Sequence, residues 1–262
     1  QAALSHQIRN LEERLGVALF RRVPRGLVLT DEGAALAPVL TGSLDLIGAT
    51  LDRFSDGRYH EALHVGVVGT FATGWLIPRL AGFEAAHPEV DLRIFANNNR
   101  VSIPGEGLDL AIRFGDGSWH GLQATRIMDA PLAPMCAPDR ARTMSGPQAM
   151  LEQPLLRSYR TGEWERWFAG LGLACPPLRG PMLDSSIALA DMAAEGHGIA
   201  LLPPALFGHW TDRGRLVTLF DHSIVAGAYW LTRLQSRPET SGMRSFREWL
   251  CRAVADQPPA TG

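Results

Sequence analysis

Three groups of residues in this 262-residue chain carry side chains able to do chemistry. His60-Glu-Ala-Leu-His64 has the H-E-x-x-H spacing of zinc hydrolases. In those enzymes two imidazoles one helical turn apart share a metal and the glutamate serves as base. Here the string runs out of a hinge-like Ser55-Asp56-Gly57-Arg58 stretch into an apolar run that reads as a strand. Residues four apart do not share helical geometry there, so no metal site is expected. Asp116-Gly-Ser-Trp-His120 puts a serine near a histidine, but side chains two apart do not form a nucleophile–base pair, and no Gly-x-Ser-x-Gly elbow is present. Cys136, Cys175 and Cys251 are odd in number, widely spaced and without Cys-x-x-Cys; free thiols in a reducing, cytoplasmic setting are expected. All 25 basic residues are arginine. That excludes a Walker A lysine, a Schiff-base lysine and a Ser-x-x-Lys nucleophile. No catalytic residue, metal or cofactor is expected.

The third group consists of hydroxyls placed where strands give way to helices. Leu63–Gly69 reads as a buried strand and 71–86 as a helix, with Thr70 at the junction. Ser185-Ser186 opens a second helix about a hundred residues later, after Pro181-Met-Leu-Asp184. Tyr229 lies on a late strand, Ala228–Arg233, expected to cross between lobes. In open α/β sheets ligands bind where strands end and helices begin, because the free helical N–H groups attract anions. Taken one at a time, each hydroxyl is explained as a helix cap. Two such helix ends facing one another would grip an anionic or peptide-like molecule.

A separate feature sits at the front of the chain. Residues 1–30 hold five arginines (Arg9, Arg14, Arg21, Arg22, Arg25) against Glu12 and Glu13, a local charge of +3. The whole chain carries −2, which leaves −5 on the rest. A basic head on an acidic body points to a head that meets a polyanion. Leu4, Ile8, Leu11 and Leu15 step by four, three and four, one face of a helix over 2–15. Phe20–Thr30 then reads as two short strands around a Pro24-Arg25-Gly26 turn. A helix followed by a basic hairpin suits a winged helix-turn-helix, with Gln1, Ser5, His6 and Arg9 reaching base edges or phosphates and Arg25 on the neighbouring backbone. An ordinary amphipathic helix and hairpin fits the same pattern.

The elements that must position these groups alternate. Residues 31–54 read as a helix capped by Thr30 or Asp31, with Leu40, Leu44, Ile47, Leu51 and Phe54 forming a heptad-like seam and Pro38 expected to kink it. After the hinge, strands at Leu63–Gly69, Val90–Ile94, Leu108–Arg113, 129–137, Gly198–Pro203 and Ala228–Arg233 alternate with helices at 71–86, from Ser185 to Gly196, and at 240–255. Such alternation argues for open parallel sheets with helices on both faces. Trp164 and Trp167, three apart, are expected to pack one helix face. No apolar run of 18 or more residues is present, so no spanning helix and no membrane partner are expected.

The string from Gln1 to Arg22, and Arg25–Gly33 after it, resemble the recognition helix, wing and linker-helix start of LysR-type transcriptional regulators. That family has two further helices ahead of this point, and the chain opens on Gln1 rather than Met; the resemblance therefore implies an N-terminally truncated head, 1–30, with Arg22 among its DNA contacts. It makes 31–57 the linker and dimerisation helix with its hinge. Further strings resemble the β-lactamase-gene regulators of that family, the AmpR type: Gly66-Val-Val-Gly-Thr-Phe-Ala, Asn98-Asn-Arg-Val, Glu106-Gly-Leu-Asp, Ala111-Ile-Arg-Phe-Gly, Leu155-Leu-Arg-Ser-Tyr-Arg, Asp184-Ser-Ser and Tyr229-Trp-Leu-Thr-Arg-Leu-Gln-Ser-Arg.

The resemblance implies a two-lobed, periplasmic-binding-protein-like (type 2) effector domain over 62–262. Lobe I would take about 62–128 and 232–258, and lobe II about 129–231. The effectors implied are cell-wall muropeptides, a UDP-muramyl peptide that represses and an anhydro-muramyl peptide that activates. The pocket implied is Gly69, Thr70, Ser186 and Tyr229, with Phe71, Asn99, Ser102 and Ser185 beside them. Ser102 stands where that type has an aspartate. The partners implied are promoter DNA, the muropeptide and a second copy of the chain in a homodimer or homotetramer. Three alternatives stay open: a LysR-type regulator answering another small molecule, such as the glycine-cleavage type; a solute-binding module without DNA function; and a hydrolase on the Ser-His or His-Glu clusters.

Overall fold

A computed structural model describes residues 2–23, 26–52, 60–97, 102–103 and 105–256. The chain divides into two compact units, Gln1–His60 and Glu61–Gly262.

In the first unit, helix α1 (Ala2–Leu15) leads into a hairpin of β1 (Phe20–Val23) and β2 (Gly26–Leu29), followed by α2 (Asp31–Asp52). The strands pair antiparallel, Phe20 opposite Leu29 and Val23 opposite Gly26. Two polar side chains fix this corner. The Glu12 carboxylate accepts from the backbone N–H groups of Leu19 (2.7 Å) and Phe20 (3.1 Å). Thr30 donates its hydroxyl to Ala18 O (2.7 Å) and accepts from Gly33 N–H (3.1 Å), so Thr30 rather than Asp31 caps α2. A Cβ at Gly33 would lie 2.2 Å from Leu19 O. The helical assignment of α2 continues through Pro38.

The second unit is built around β3 (Glu61–Val68). A helical segment, 69–86 (α3), follows directly; it opens as α-helix at Gly69–Phe71, widens into a π turn at Ala72–Leu76, tightens at Ile77–Arg79 and closes as α-helix at Leu80–Ala86. Then come β4 (Val90–Asn97), β5 (Leu110–Gly115) and β6 (Leu122–Asp129). The chain passes into a second lobe with β7 (Ala133–Cys136), β8 (Arg157–Ser158), α4 (Glu163–Ala169), β9 (Met182–Leu183), α5 (Ser186–Ala194), β10 (Ala200–Leu202) and β11 (Val217–Thr218). It returns through β12 (Ala228–Leu234) and ends in α6 (Ser241–Ala255).

The first-lobe sheet has the order β4-β3-β5-β12-β6. It is mixed, which corrects the expectation of parallel sheets: β3 runs parallel to β4 and β5, while β12 lies antiparallel to both β5 and β6. The antiparallel part arises because β12 enters from the other lobe rather than through a crossover helix. Residues 228–231, expected in the second lobe, belong to the first, since their backbone pairs with Phe114 and Met128 and their neighbours. In the second lobe β7 pairs antiparallel with β10 and β11, and β8 lies parallel to β9.

The apolar core of the first lobe is aromatic. Phe83 of α3 stacks edge-on to Phe246 (5.4 Å) and Trp249 (5.2 Å) of α6. The start of α6 is held by β3: Glu61 accepts from the Thr240 and Ser241 hydroxyls and from Gly242 N–H (2.8 Å). The glutamate of the H-E-x-x-H string is thus a helix cap on a strand, and its neighbour His64 pairs with Asp109 (3.5 Å). In the second lobe Trp164 and Trp167 are both buried on one face of α4, as their spacing foretold. Each indole N–H is spent on a carbonyl, Leu156 O and His222 O. Burial pushes the Cys136 thiol up to about 11, which leaves it inert as a nucleophile.

The lobes touch at Gly74, where an added Cβ would meet Leu206 O at 2.2 Å. Because the obstacle is backbone, Gly74→Ala should destabilise the effector unit by about 1–3 kcal/mol. Thermal or urea melts check this, and an unchanged midpoint would contradict so close an approach.

Candidate functional site

The two strand-to-helix junctions meet. From the first lobe come Gly69 and Thr70 at the end of β3, Asn97 at the end of β4, Phe114 on β5 and Tyr229 on β12. From the second come Tyr159 and Arg160 after β8, and Asp184, Ser185 and Ser186 at the start of α5. They line one cleft with a cavity of about 50 Å³. The approach is close: a Cβ on Gly69 would stand 3.3 Å from Ile187 Cδ1 across the gap.

Each residue reaches the cleft for a local reason. β3 is apolar and buried almost throughout, so its end is fixed in the core and Thr70, 5% exposed, has little freedom. Ser185 takes the cap of α5 in extended backbone, accepting from Ala188 N–H (3.3 Å). That leaves Ser186, the first residue of α5, to face the cleft with the helix's positive end. Tyr229 is 3% exposed, packed between Phe71 (5.1 Å) and Phe114 (5.3 Å). Burial raises its phenol above the ordinary value, only partly opposed by the Arg160 charge. It is therefore a neutral O–H at physiological pH.

Arg160 is the cleft's cation. Its guanidinium lies over the rings of Phe114 (5.3 Å), in the opposite lobe, and Tyr159 (5.4 Å), and its Nε donates to Glu163. Burial opposes the Arg160 charge, but Glu163 and Tyr159 more than offset it, so the net shift is upward. For Glu163 burial is the larger effect and lifts the carboxyl despite Arg160.

Among the expected pocket residues, Gly69, Thr70, Ser185, Ser186 and Tyr229 line this one cleft. Phe71 does not line the cleft: it is fully buried behind Tyr229 and stacks on Trp75 (5.2 Å). Ser102 is exposed in a turn of its own, accepting from Gly105 N–H (3.2 Å) while its N–H donates to Glu106; it is not among the cleft's lining residues. Asn99 lies outside the described residues. Asn97, Phe114, Tyr159, Arg160 and Asp184 were missed as pocket residues, although Arg160 and Glu163 stand three apart in sequence.

On the head, His6 and Arg9 are exposed on α1, with His6 Nδ1 accepting from Asn10 (3.2 Å), and Arg22 is exposed on β1. Ser5 lies on α1. Gln1 and Arg25 fall outside the described residues.

A small-molecule cleft between two lobes, carried with a basic helix-and-hairpin unit, defines a ligand-responsive DNA-binding regulator. Residues 56–255 match the LysR substrate binding domain, and residues 1–34 the bacterial regulatory helix-turn-helix protein, lysR family. The chain is 51% identical to the HTH-type transcriptional activator AmpR of Pseudomonas aeruginosa over 97% of its own length and 87% of that protein's. It is 42% identical to the carbapenem-hydrolyzing beta-lactamase transcriptional activator of Serratia marcescens, over 97% and 88%. Among solved structures, a Citrobacter freundii effector binding domain with three substitutions, Thr to Val, Ser to Ala and Tyr to Phe, superposes with a TM-score of 0.73 at 41% identity, covering 74% of this chain and 100% of that one. The chain belongs to the LysR family of transcriptional regulators. It is not an enzyme; it binds DNA and a small-molecule effector.

Thr70→Val, Ser186→Ala and Tyr229→Phe should each leave the fold intact and weaken effector binding by about 1–3 kcal/mol, the usual cost of a buried hydrogen bond left half-made. Calorimetry reads this directly. Because the Tyr229 phenol is raised, its share of the affinity should stay flat as pH rises from neutrality through the ordinary tyrosine range; an alkaline loss that Tyr229→Phe abolishes would contradict it.

Proposed function

We propose that this chain is a cytoplasmic regulator of a β-lactamase gene, switched by cell-wall muropeptides. A UDP-muramyl peptide holds it repressing and an anhydro-muramyl peptide makes it activate. The observation that carries this reading is the meeting of Thr70, Ser186 and Tyr229 around one cleft between the lobes. These are the three residue types whose hydroxyls are deleted in the Citrobacter freundii variant. The Serratia marcescens relative, named for a carbapenem-hydrolyzing β-lactamase, supports the target gene.

The chemistry suits a peptide bearing a carboxylate. Three neutral hydroxyls serve amide groups, while two helix N-termini and Arg160 supply the positive potential. Binding across the gap favours one relative position of the lobes over another, and this differential affinity is the free energy available for switching. Transmission runs through α2, whose Leu40, Leu44 and Ile47 are exposed in the single chain. Such a seam is stabilised by a second copy, giving a homodimer or homotetramer that sets the spacing of paired heads on promoter DNA. Among the described residues no helix is long and apolar enough to cross a membrane.

The test is calorimetry of the chain with UDP-N-acetylmuramyl pentapeptide, anhydro-muramyl peptide and free amino acids. Binding of the first two and not the third is expected; the reverse order would favour the amino-acid-responsive alternative. Leu44→Asp should shift the chain toward monomer in sedimentation velocity, and an unchanged oligomer would remove α2 as the dimerising element.

A further inference from the structure

The cleft is not the largest hollow in the effector unit. Wholly within the second lobe lies a chamber of about 430 Å³, and the two share a single lining residue, Arg160. Arg157, Glu163 and Glu165 line the chamber together with Trp164, Pro177 and Met182.

We propose that the effector site continues past Arg160 into this chamber. The Arg160 guanidinium binds a carboxylate of the ligand at the junction, and the chamber takes the peptide segment that follows. This extension rests on the peptide-carrying effector proposed above.

Volume is the first argument. About 50 Å³ between the hydroxyls is little more than the space of one or two waters, whereas ligand pockets run to about 300–1,000 Å³. The chamber supplies space of that order. Placement is the second. Arg160 is anchored by its Nε to Glu163 and lies over the rings of Phe114 and Tyr159, yet its side chain stays 20% exposed where the two hollows join. An arginine fixed at one edge is preorganised to meet a carboxylate with the other. Charge is the third and selects the end of the ligand that enters. Glu163 and Glu165 offset the charges of Arg157 and Arg160, so the chamber lacks the net positive potential that holds a diphosphate. Beside Arg157 and the apolar wall they suit a peptide carrying ionised groups of both signs. Because Phe114 belongs to the opposite lobe, a carboxylate on Arg160 also bears on the position of one lobe against the other.

Cys175 lines the chamber and reports on it. Burial, with Glu165 beside it, raises its thiol, so alkylation is slow enough to time. The experiment measures iodoacetamide labelling of Cys175 and Cys251 by peptide mass spectrometry, with and without UDP-N-acetylmuramyl pentapeptide. Calorimetry of the same ligand runs on the wild type, Thr70→Val, Arg160→Gln and Arg160→Lys. The expected result is protection of Cys175 in proportion to occupancy with Cys251 unaffected. A loss of about tenfold or more in affinity for Arg160→Gln and a smaller loss for Arg160→Lys should accompany it. If the ligand binds and Thr70→Val weakens it, but Cys175 labels at its free rate, the site stops at the cleft and the extension is overturned while the effector reading stands. The labelling uses wild-type protein, so this outcome is readable even if Arg160→Gln fails to fold. If the wild type does not bind the ligand at all, the effector reading falls and the extension with it.

Discussion

The structure depends on two strand-to-helix corners held opposite one another by a core that runs behind both. Val65 and Val67 of β3 and Leu189 and Ala190 of α5 belong to the same apolar cluster. The polar ends of those elements are therefore forced toward each other, with Gly69 and Ile187 nearly in van der Waals contact. A side chain at Gly69 would crowd the gap, and loss of the Ser185 hydroxyl would leave the Ala188 N–H without its cap. The cleft is thus a polar seam cut into one continuous core, and a ligand with hydrogen-bonding groups on two sides completes it.

That geometry explains how a small molecule between the lobes could act on their relative position. Interfaces between packed lobes are bistable rather than continuously deformable, because interior packing tolerates little strain. Gly74 against Leu206 O is one such contact, too close for any other residue. The cation of Arg160 over Phe114 is another, polar where the first is steric. A ligand inserted between Thr70 and Ser186 would act on both at once, and differential binding to two lobe arrangements is all that thermodynamics requires for switching. In the proposed switch the exposed stripe on α2 is the other half of the device. Exposed apolar side chains such as Leu40, Leu44 and Ile47 favour association.

Much of this was legible in the residues. The helix over 2–15, the paired strands Phe20–Val23 and Gly26–Leu29, the junctions at Thr70 and Ser186 and the last helix follow from periodicity and turn chemistry. The strand Leu122–Asp129 was missed because it is the sheet's edge: half exposed, it carries Gln, Thr and Arg among its apolar residues and lacks a clear alternating pattern. The direction of β12 was beyond local pattern, since a strand returning from another lobe looks like any other. Ser102 and Phe71 were expected beside the pocket on the family resemblance. The structure instead turns one outward into a loop and the other inward behind Tyr229. Arg160 has no periodicity to betray it. Its role comes from a loop that the pairing of β8 with β9 holds at the cleft's edge, a non-local fact.

The central claim is that one effector is held simultaneously by hydroxyls from both lobes. A double-mutant cycle on effector affinity with Thr70→Val and Ser186→Ala tests it most directly, since the two side chains belong to different lobes. Shared contact with one ligand predicts a coupling of about 0.5–3 kcal/mol between them. Strict additivity, with each substitution costing the same in the presence and absence of the other, would contradict the account.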